Sequence, residues 1–536
     1  MTLVKKNIVD NSIEQEYSNS TSIEHRKKFA QFFTPPPLVQ LMGNWLLQNE
    51  NFETALEPAF GLGIFSRFLL SQKKETKIKG YEIDPEIYYK SKKIFADKKQ
   101  VNVILEDYMT NDWNNKYDGI ICNPPYFKFH DYDNKSTIKE LENNIGTKFN
   151  AFSNLYSLFL VKSVSQLNDG GRLAYIIPSE FLNSDYGVSI KEYLKKKNIL
   201  RYVLVVDFKE NVFDDALTTA CILLCANDKE IDEIQFKTLD TLSDLDEIEL
   251  EIERYPKISG KTNIITNQDL KPEIKWRAYY QELNSDKFKN LVPFSTFGKV
   301  VRGIATGAND YFKFNESKSK NFSITNENLL PCITKSSDIN TIIFTKNDFD
   351  ELKYNDKSVF LLNARDSLSK NVSDYIKKGE LEGINDKYLT SKRNPWYSLE
   401  NRPPSPIWVS VFNRNGLKFI RNEANVSNLT CFHCIYPFKK ELFSDIEIDL
   451  LFAYLLTDTA KAIFTDNSRE YGNGLQKFEP NDINKSKVLD LRLLNPSTKS
   501  LILEYYYSYR DSVLGKNENK DYIDYINDLL IDEFSK

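Results

Sequence analysis

The chain has 536 residues, a formal net charge of −5 and a hydrophobic content of 41%. These values suit a globular protein of two or more domains and exclude an intrinsically disordered chain. The sequence contains neither a signal peptide nor a run of about eighteen apolar residues, which argues against a membrane or secreted protein and predicts a cytoplasmic one.

Apolar strand patterns and amphipathic helix patterns alternate over the first 226 residues. This alternation predicts an α/β fold with a doubly wound sheet, and the last two strands are close enough to form an antiparallel hairpin at the sheet edge. The predicted strands lie near 52–57, 77–82, 101–106, 117–122, 172–178, 201–206 and 218–226, and the predicted helices near 36–48, 64–72, 85–96, 153–168 and 186–196.

A glycine-containing turn follows the first strand. Gly61 and Gly63 allow the backbone to approach a ligand, and Glu82, nineteen residues after Gly63 at the end of the next strand, is placed to bind ribose hydroxyls. The third strand ends in Glu106-Asp107. Acidic groups at successive strand ends suit a nucleoside cofactor. A Walker-type lysine and the full G-x-G-x-x-G pattern are both missing, which argues against nucleoside triphosphates and nicotinamide cofactors.

The tetrapeptide Asn123-Pro124-Pro125-Tyr126 follows the fourth strand, Tyr117 to Cys122. The amide oxygen of Asn123 and the carbonyl oxygen of Pro124 can both accept hydrogen bonds from one planar NH2 group, while Tyr126 stacks on the ring that carries it. Two acceptors oppose delocalisation of the amine lone pair, and this favours the tetrahedral nitrogen that forms during alkylation. The same residues are also a good turn after a strand.

These motifs resemble those of a known family, the class I S-adenosylmethionine-dependent DNA methyltransferases, specifically the gamma-ordered enzymes that modify adenine N6. Residues 30–35 match its N-terminal cofactor-capping motif and residues 57–65 match its first motif. The resemblance implies a doubly wound, Rossmann-like methyltransferase sheet and S-adenosyl-L-methionine as the cofactor. The cofactor-binding residues that it implies are Phe33, Thr34, Glu57, Ala59, Gly61, Gly63, Glu82, Ile83, Asp107, Tyr108 and Asn123.

The resemblance also implies a catalytic set. It consists of Asn123, Pro124, Pro125 and Tyr126, together with Phe213, which contacts an extruded base. Transfer to an exocyclic amine is direct, so neither a cysteine nucleophile nor a metal is expected.

The C-terminal half differs in charge from the segment before it. Residues 231–270 hold 10 acidic and 4 basic residues, whereas residues 271–440 hold 27 basic and 18 acidic residues. A basic region can face phosphates. We therefore expect a mixed α+β domain for DNA recognition after the catalytic domain. The predicted divisions are a catalytic domain at 1–230, an acidic connection at 231–275 with short strands near 234–236 and 248–252, a recognition domain at 276–490 and terminal helices at 491–536.

Several polar and aromatic residues in this region are candidates for contact with duplex DNA. The loop at 300–312 is similar to one typical of target-recognition domains, and the segment at 469–480 also has a family-like pattern. A flexible turn and packing tryptophans are the structural alternatives. The candidates are Arg302, Thr306, Asn309, Trp396, Arg402, Asn473 and Lys477.

Three other functions share parts of this pattern. Methylation of cytosine N4 uses nearly the same amine chemistry. Protein glutamine methyltransferases share Asn-Pro-Pro-Tyr but lack a large recognition region of this kind, and a DNA-specificity protein with a degenerate cofactor site needs no intact motif series. The capping motif near residue 30 leaves no room for an N-terminal nuclease domain, so we expect any restriction endonuclease to be a separate polypeptide. We also expect the protein to be a monomer.

Overall fold

The computed structural model describes residues 9–206, 220–258, 263–364, 368–400, 402–413, 416–438, 447–471 and 475–536. Within these ranges the chain divides into two compact units. The first holds the residues up to 281 together with Tyr471, and the second holds the rest. No helix of the described ranges is long and apolar enough to cross a membrane.

The first unit is built on a mixed sheet of nine strands. Their bounds are β1 Thr54–Glu57, β2 Lys77–Glu82, β3 Val101–Leu105, β4 Tyr117–Cys122, β5 Leu167–Pro178, β6 Leu200–Val206, β7 Ala220–Ala226, β8 Glu233–Leu239 and β9 Ile264–Thr266. They lie in the order β3-β2-β1-β4-β5-β7-β6-β8-β9. The first five strands in this order run parallel to one another, whereas β7 is antiparallel to both β5 and β6. The carboxyl ends of β1 to β4 therefore meet at one edge.

Ten helices accompany this sheet in the described part of the first unit. They are α1 Ser12–Ser20, α2 Ile23–Lys28, α3 Pro36–Leu47, α4 Ile64–Gln72, α5 Pro85–Ile94, α6 Asn134–Ile145, α7 Leu155–Ser165, α8 Glu180–Asn183, α9 Gly187–Lys197 and α10 Leu242–Ile252. Side chains of α3, α4 and α10 belong to one hydrophobic cluster, and side chains of α6, α7 and α9 belong to another. Strands covered by helices on both faces are mostly apolar, as are the fully buried β7 and β6, in which Arg201 is the one charged residue. The predicted α/β class is confirmed.

The antiparallel hairpin of β6 and β7 lies inside the sheet, so the prediction that it forms the sheet edge is wrong. Strand β8 pairs in parallel with β6, and the antiparallel β9 follows as the edge strand. Both added strands come from the acidic segment that the sequence suggested as a connection. Its charged residues do not prevent pairing, because Ile234 and Phe236 are buried while Glu233 is exposed.

The strand predicted near 248–252 is also wrong, because these residues form the last part of α10. The alternation of apolar and acidic residues in this segment also fits a strand with one buried face. Leu250 would lie on that buried face, yet it is 58% exposed. The buried residues Leu245, Ile248 and Ile252 follow helical spacing instead. A capping box that begins at Thr241 starts the helix.

The second unit contains smaller sheets and nine described helices. Its strands are β10 Leu291–Pro293, β11 Gly298–Arg302, β12 Lys313–Phe314, β13 Leu329–Ile333, β14 Ile343–Phe344, β15 Phe360–Leu362, β16 Ile407–Ser410, β17 Phe412–Asn413, β18 Phe419–Asn422, β19 Ser427–Asn428, β20 Phe432–Pro437, β21 Arg469–Tyr471, β22 Leu475–Lys477 and β23 Lys487–Leu489. Its helices are α11 Asn309–Phe312, α12 Glu316–Asn321, α13 Lys346–Tyr354, α14 Lys370–Leu381, α15 Ile448–Leu456, α16 Asp458–Thr465, α17 Pro480–Lys485, α18 Pro496–Leu514 and α19 Asp521–Phe534.

The central sheet of the second unit has five strands in the order β11-β20-β16-β18-β14. One hydrophobic cluster joins this sheet to α15, α16, α18 and α19. A second cluster contains Trp408 and is centred on the sheet β12-β15-β13-β19. The two helices predicted for the C-terminus are α18 and α19.

Candidate functional site

A cavity of about 420 Å³ opens at the carboxyl edge of β1 to β4 in the first unit, and its size is typical of a small-molecule site. All eleven cofactor-binding residues predicted from the sequence line it. Ile83 is 58% exposed at this cavity, which places an apolar side chain where a ligand can cover it. Pro125 lines the same cavity, so the tetrapeptide after β4 and the acidic strand ends share one space.

The glycine turn after β1 is held to the end of β2 by one carboxylate. The backbone N–H of Gly61 donates to Glu82 Oε2 at 2.9 Å, and the N–H groups of Ile83 and Asp84 donate to Oε1 at 2.9 Å. Gly63 has φ +72°, and a Cβ there would lie 2.6 Å from the Phe95 ring. The turn therefore requires glycine at position 63. Burial raises the pKa of Glu82 above its ordinary value, although the three backbone donors oppose the shift.

Glu57 is a buried acid at the end of β1. Its Oε2 accepts hydrogen bonds from the Ser66 backbone at 3.1 Å and from the Ser66 hydroxyl at 2.5 Å. Burial outweighs these bonds and raises the pKa of Glu57 to about 8. The carboxyl group therefore holds a proton at neutral pH while the cavity contains no cation.

This raised pKa predicts a pH dependence of stability in the cofactor-free protein. Between the ordinary glutamate pKa of 4.5 and about 8, folded Glu57 keeps a proton that the unfolded chain has lost. The free energy of unfolding should therefore decrease as the pH rises through this window. We expect Glu57→Gln to flatten that decrease in urea-unfolding curves. An equally steep decrease in the variant would contradict the assignment.

Asn123 has its amide orientation determined by its partners. Nδ2 donates to the carbonyl oxygen of Phe32 at 2.8 Å and to Thr34 Oγ1 at 3.1 Å. Because a carbonyl can only accept, the nitrogen must face Phe32 and Oδ1 must face away from it. Within the described ranges, neither this oxygen nor the carbonyl oxygen of Pro124 accepts a hydrogen bond from the protein. Two acceptors are therefore available at the tip of β4.

Tyr126 is held mainly by ring contacts. Its ring lies nearly parallel to that of Phe32, with centroids 6.4 Å apart at 21°, and meets Tyr156 edge-on at 6.1 Å. Its hydroxyl makes only a long hydrogen bond of 3.4 Å to the carbonyl of Ile176. Sequence reasoning missed Phe32, although the Phe32-Phe33 doublet beside Thr34 was a visible signal. Phe213 lies outside the described residues.

Asp107 and Tyr108 occupy the loop after β3. Asp107 Oδ1 accepts from the backbone N–H of Met109 at 2.8 Å, and the Asp107 side chain is exposed at the cavity. The Tyr108 ring turns inward, where its hydroxyl donates to Gln166 Oε1 at 2.6 Å and contacts Ser163 Oγ at 2.9 Å. Tyr108 thus forms a wall of the cavity and anchors the loop to α7.

The thiol nearest to the tetrapeptide is that of Cys122, the last residue of β4. It is fully buried in the cluster that contains α7, and burial raises its pKa well above the ordinary value. A thiol in this state is a poor nucleophile. Over the ranges that the structure describes, no three histidine, cysteine or acidic side chains are grouped as a metal site.

The residues predicted to contact DNA differ in how exposed their side chains are within the second unit. Arg302 is exposed and pairs with Glu479 at 3.0 Å, and the same carboxylate pairs with Lys477 at 2.7 Å. Phe412, which is 58% exposed, lies opposite Lys477 in the pairing of β17 with β22, with Nζ 5.5 Å from its ring centroid. Sequence reasoning missed Phe412. Asn473 lies outside the described residues.

Two of the predicted contacts have side chains that are held by other residues of the second unit. Thr306 is 1% exposed, and its hydroxyl donates to Asn309 Oδ1 at 2.5 Å while accepting from the Ala308 N–H, so it shapes the loop from inside. Trp396 is partly exposed; its ring packs on Tyr311 with centroids 5.6 Å apart, and its Nε1 donates to Glu380 Oε1 at 3.1 Å. Contact with DNA stays a prediction for both Thr306 and Trp396. Asn309 is exposed on the same loop.

Arg402 is partly exposed and lies next to Arg302. It donates a hydrogen bond to the backbone carbonyl of Arg302 and pairs with Glu400 at 2.8 Å. Arg402 therefore supports the backbone at the end of β11 from within the second unit.

Comparison with family models gives two matches. Residues 50–213 match the Eco57I restriction-modification methylase, and residues 274–529 match the C-terminal domain of the type II methyltransferase M.Eco57I.

Individual proteins resemble the chain over most or all of its length. The type II methyltransferase M.AccI of Acinetobacter calcoaceticus is 60% identical over 100% of this chain and 99% of its own length. M.HindII of Haemophilus influenzae is 25% identical over 81% of this chain and 84% of its own. The solved structure of the type IIL restriction-modification enzyme MmeI in complex with DNA covers 96% of this chain and 77% of its own, with a TM-score of 0.56 and 13% identity, a likeness of fold.

Proposed function

The chain belongs to the type II DNA methyltransferases of restriction-modification systems, uses S-adenosyl-L-methionine, and, we propose, methylates the N6 amine of adenine in duplex DNA. One observation carries the proposal. Asn123 Oδ1 and the Pro124 carbonyl are free acceptors at the tip of β4, and Asn123 also lines the cavity at the acidic strand ends.

The cavity fits S-adenosyl-L-methionine. Gly61 and Gly63 line the cavity, and a Cβ at Gly63 would collide with the core rings of Phe95 and Phe60, so the turn has no room for a side chain there. Glu82 suits ribose hydroxyls, Asp107 suits an adenine amine, and Phe33 and Thr34 suit the methionine end. When bound, this cofactor supplies an electrophilic methyl group on a sulfonium. Glu57 then meets positive charge, which favours loss of its proton.

The residues after β4 hold and activate the target amine in this proposal. Asn123 Oδ1 and the Pro124 carbonyl accept one hydrogen each from the N6 amine, which reduces conjugation of the nitrogen lone pair with the ring. Pro125, through its restricted φ, helps to keep the Pro124 carbonyl in place. The cofactor would supply the methyl group by breaking its S–CH3 bond and would leave as neutral S-adenosylhomocysteine, and the proton that the methylated nitrogen loses would pass to solvent. Cys122 has no part in the reaction.

An adenine inside a duplex cannot reach this pocket, so we propose that it is extruded at an unstacking cost of a few kcal/mol. Tyr126 stacks on the extruded base, and Phe32 and Tyr156 keep the plane of the Tyr126 ring. Phe213 is proposed as the opposite contact, as the sequence resemblance implies.

We propose that residues 276–490, most of which lie in the second unit, recognise the DNA sequence. A patch formed by the exposed Arg302 and Phe412 and the partly exposed Lys477 offers two cations and an aromatic ring, and Asn309 is exposed in the segment that follows β11. Arg402 supports Arg302 in this role, and Asn473 is retained from the sequence pattern. Residues 1–230 are proposed as the catalytic domain and 491–536 as a helical support.

Replacing Arg302 with alanine tests the role of this patch. If Arg302 neutralises a phosphate, the slope of log K against log salt for duplex binding should fall by about one. Fluorescence anisotropy at several salt concentrations measures the slope. Lys353→Ala, which removes a cation paired with Glu316 in the same unit, is the matched control. Equal slopes in the wild type and Arg302→Ala would remove Arg302 from the interface.

The proposed partners follow from this activity. Duplex DNA is the substrate, the enzyme acts as a monomer in the cytoplasm, and any cognate restriction endonuclease is a separate polypeptide.

Mass spectrometry of nucleosides from DNA methylated by the purified protein tests the proposed function. The expected product is N6-methyldeoxyadenosine. N4-methyldeoxycytidine would instead assign the enzyme to cytosine. Unmodified DNA together with a methylated protein glutamine would reject a DNA substrate, and cofactor binding without any product would indicate a specificity protein.

A further inference from the structure

A lysine that the proposed chemistry does not use is buried beside the cofactor cavity. Lys162 on α7 is 0% exposed, and its Nζ lies 4.2 Å from the ring centroid of Tyr108 and 4.0 Å from that of Trp113. A lysine is almost never fully buried without partners. Burial lowers its pKa to about 7. Its position therefore carries a cost that the partners must offset.

The partners of Lys162 are backbone carbonyls of the loop after β3. Nζ donates hydrogen bonds to the carbonyl oxygens of Tyr108 and Asn111, and the amide of Gln166, the residue directly after α7, donates to the carbonyl of Asp112. Buried carbonyls need donors, and this loop obtains them from helix side chains instead of a neighbouring strand. The conformation of the loop therefore depends on α7.

The same loop presents Asp107 to the cavity. Nδ2 of Asn111 donates to the carbonyl oxygen of Asp107 at 3.0 Å, and the hydroxyl of Thr110 donates to it at 3.2 Å. Nζ of Lys162 donates a hydrogen bond to the backbone carbonyl of Asn111, and the Asn111 side chain donates one to the backbone carbonyl of Asp107. A change at Lys162 is thus transmitted to the carboxylate through a single residue.

We infer that Lys162 is a positioning residue for the adenine end of the cofactor: it fixes the loop of residues 107–112 so that the Asp107 carboxylate selects an amine over an oxygen at the purine six position. This inference rests on the proposed role of the cavity. Lys162 does not touch the cofactor in this scheme, so its effect is on recognition and not on the methyl transfer step.

The chain supplies a matched control in Lys191 on α9. Lys191 is 1% exposed, donates to the carbonyl oxygens of Leu182 and Ile274 at 3.1 and 2.7 Å, and lies 5.4 Å from the Trp276 ring centroid. Burial lowers its pKa to about 7 as well. It does not line the cavity. Lys191→Met therefore removes a similar buried cation at a place without cofactor contacts.

The experiment compares binding of S-adenosylhomocysteine with that of its deaminated analogue S-inosylhomocysteine by titration calorimetry of the full chain. The wild type should prefer the adenosyl compound by about tenfold or more, because the inosine oxygen cannot donate to Asp107. Lys162→Met should lose most of this preference, whereas Lys191→Met should keep it. A general loss of stability changes both affinities without changing their ratio.

Thermal unfolding of each variant shows whether it is folded at the titration temperature. Should Lys162→Met be unfolded, two other variants apply. Lys162→Gln removes part of the contacts with the Tyr108 and Asn111 carbonyls, Gln166→Met removes the contact with the Asp112 carbonyl of the same loop, and each should reduce the preference. A wild-type preference retained in these variants, or equally lost in Lys191→Met, overturns the inference. A wild type that binds neither compound rejects the proposed cofactor cavity itself, and one that binds both equally overturns the role of Lys162 alone.

Discussion

Replacing Asn123 with alanine is expected to lower kcat by about 10²- to 10³-fold, the usual effect of removing one preorganised polar group that stabilises a transition state. The alanine lacks Oδ1, so the target amine keeps only the Pro124 carbonyl as an acceptor. Transfer of tritiated methyl groups to duplex DNA at saturating cofactor measures kcat directly. A variant within threefold of the wild type would reject the assigned role.

Asn123 has a second task that the design must separate. Its Nδ2 holds the Phe32 carbonyl and Thr34, so the alanine variant should also bind the cofactor somewhat more weakly. Saturating cofactor removes this contribution from kcat. Asn168→Ala is the matched control, because Asn168 Nδ2 donates to Asp118 near the start of the same strand, at 2.7 Å. It should leave kcat nearly unchanged.

Replacing Tyr126 with alanine is expected to lower kcat/KM for DNA roughly 5- to 150-fold. This corresponds to a loss of about 1–3 kcal/mol of transition-state stabilisation, the range for stacking of a base on an aromatic ring. The ring, and not the hydroxyl, is expected to act, because the hydroxyl makes only a 3.4 Å hydrogen bond to Ile176. Steady-state methylation of a duplex with one target site measures this ratio.

Tyr126→Phe provides the matched comparison for this prediction. It keeps the ring between its contacts with Phe32 and Tyr156 and should retain nearly all activity. Equal losses in Tyr126→Phe and Tyr126→Ala would transfer the role to the hydroxyl. Burial raises the pKa of Tyr126 above its ordinary value, so the hydroxyl stays protonated at neutral pH.

The predictable part of the site consists of residues whose function demands a local pattern. Gly61 and Gly63 were identifiable because a tight approach needs backbone without a Cβ, and Glu82 because a parallel strand places its end beside the turn. The structure lines one cavity with all three. Asn123 belongs to the same group, since it follows an apolar strand directly.

Other features depend on contacts between distant parts of the chain. The Ile248–Ile252 pattern satisfies both a strand and a helix, and only the packing of Ile248 and Ile252 against the sheet, with Leu250 outside, decides between them. Lysine is one of the residue types that are most often exposed, so no local sequence pattern predicts that Lys162 is buried. Thr306 has a polar side chain in a glycine-bounded loop, yet the loop turns it inward.

The sequence by itself determined the family, the placement of functional residues at the ends of successive parallel strands and the residues that line the cofactor cavity. These features follow from short motifs that directly follow strands. Only the tertiary structure decided the extension of the sheet by β8 and β9, the orientation of the Asn123 amide and the support of the Asp107 loop by Lys162. Each of these depends on a partner more than thirty residues away, and local patterns in the sequence carry no record of which distant groups will meet.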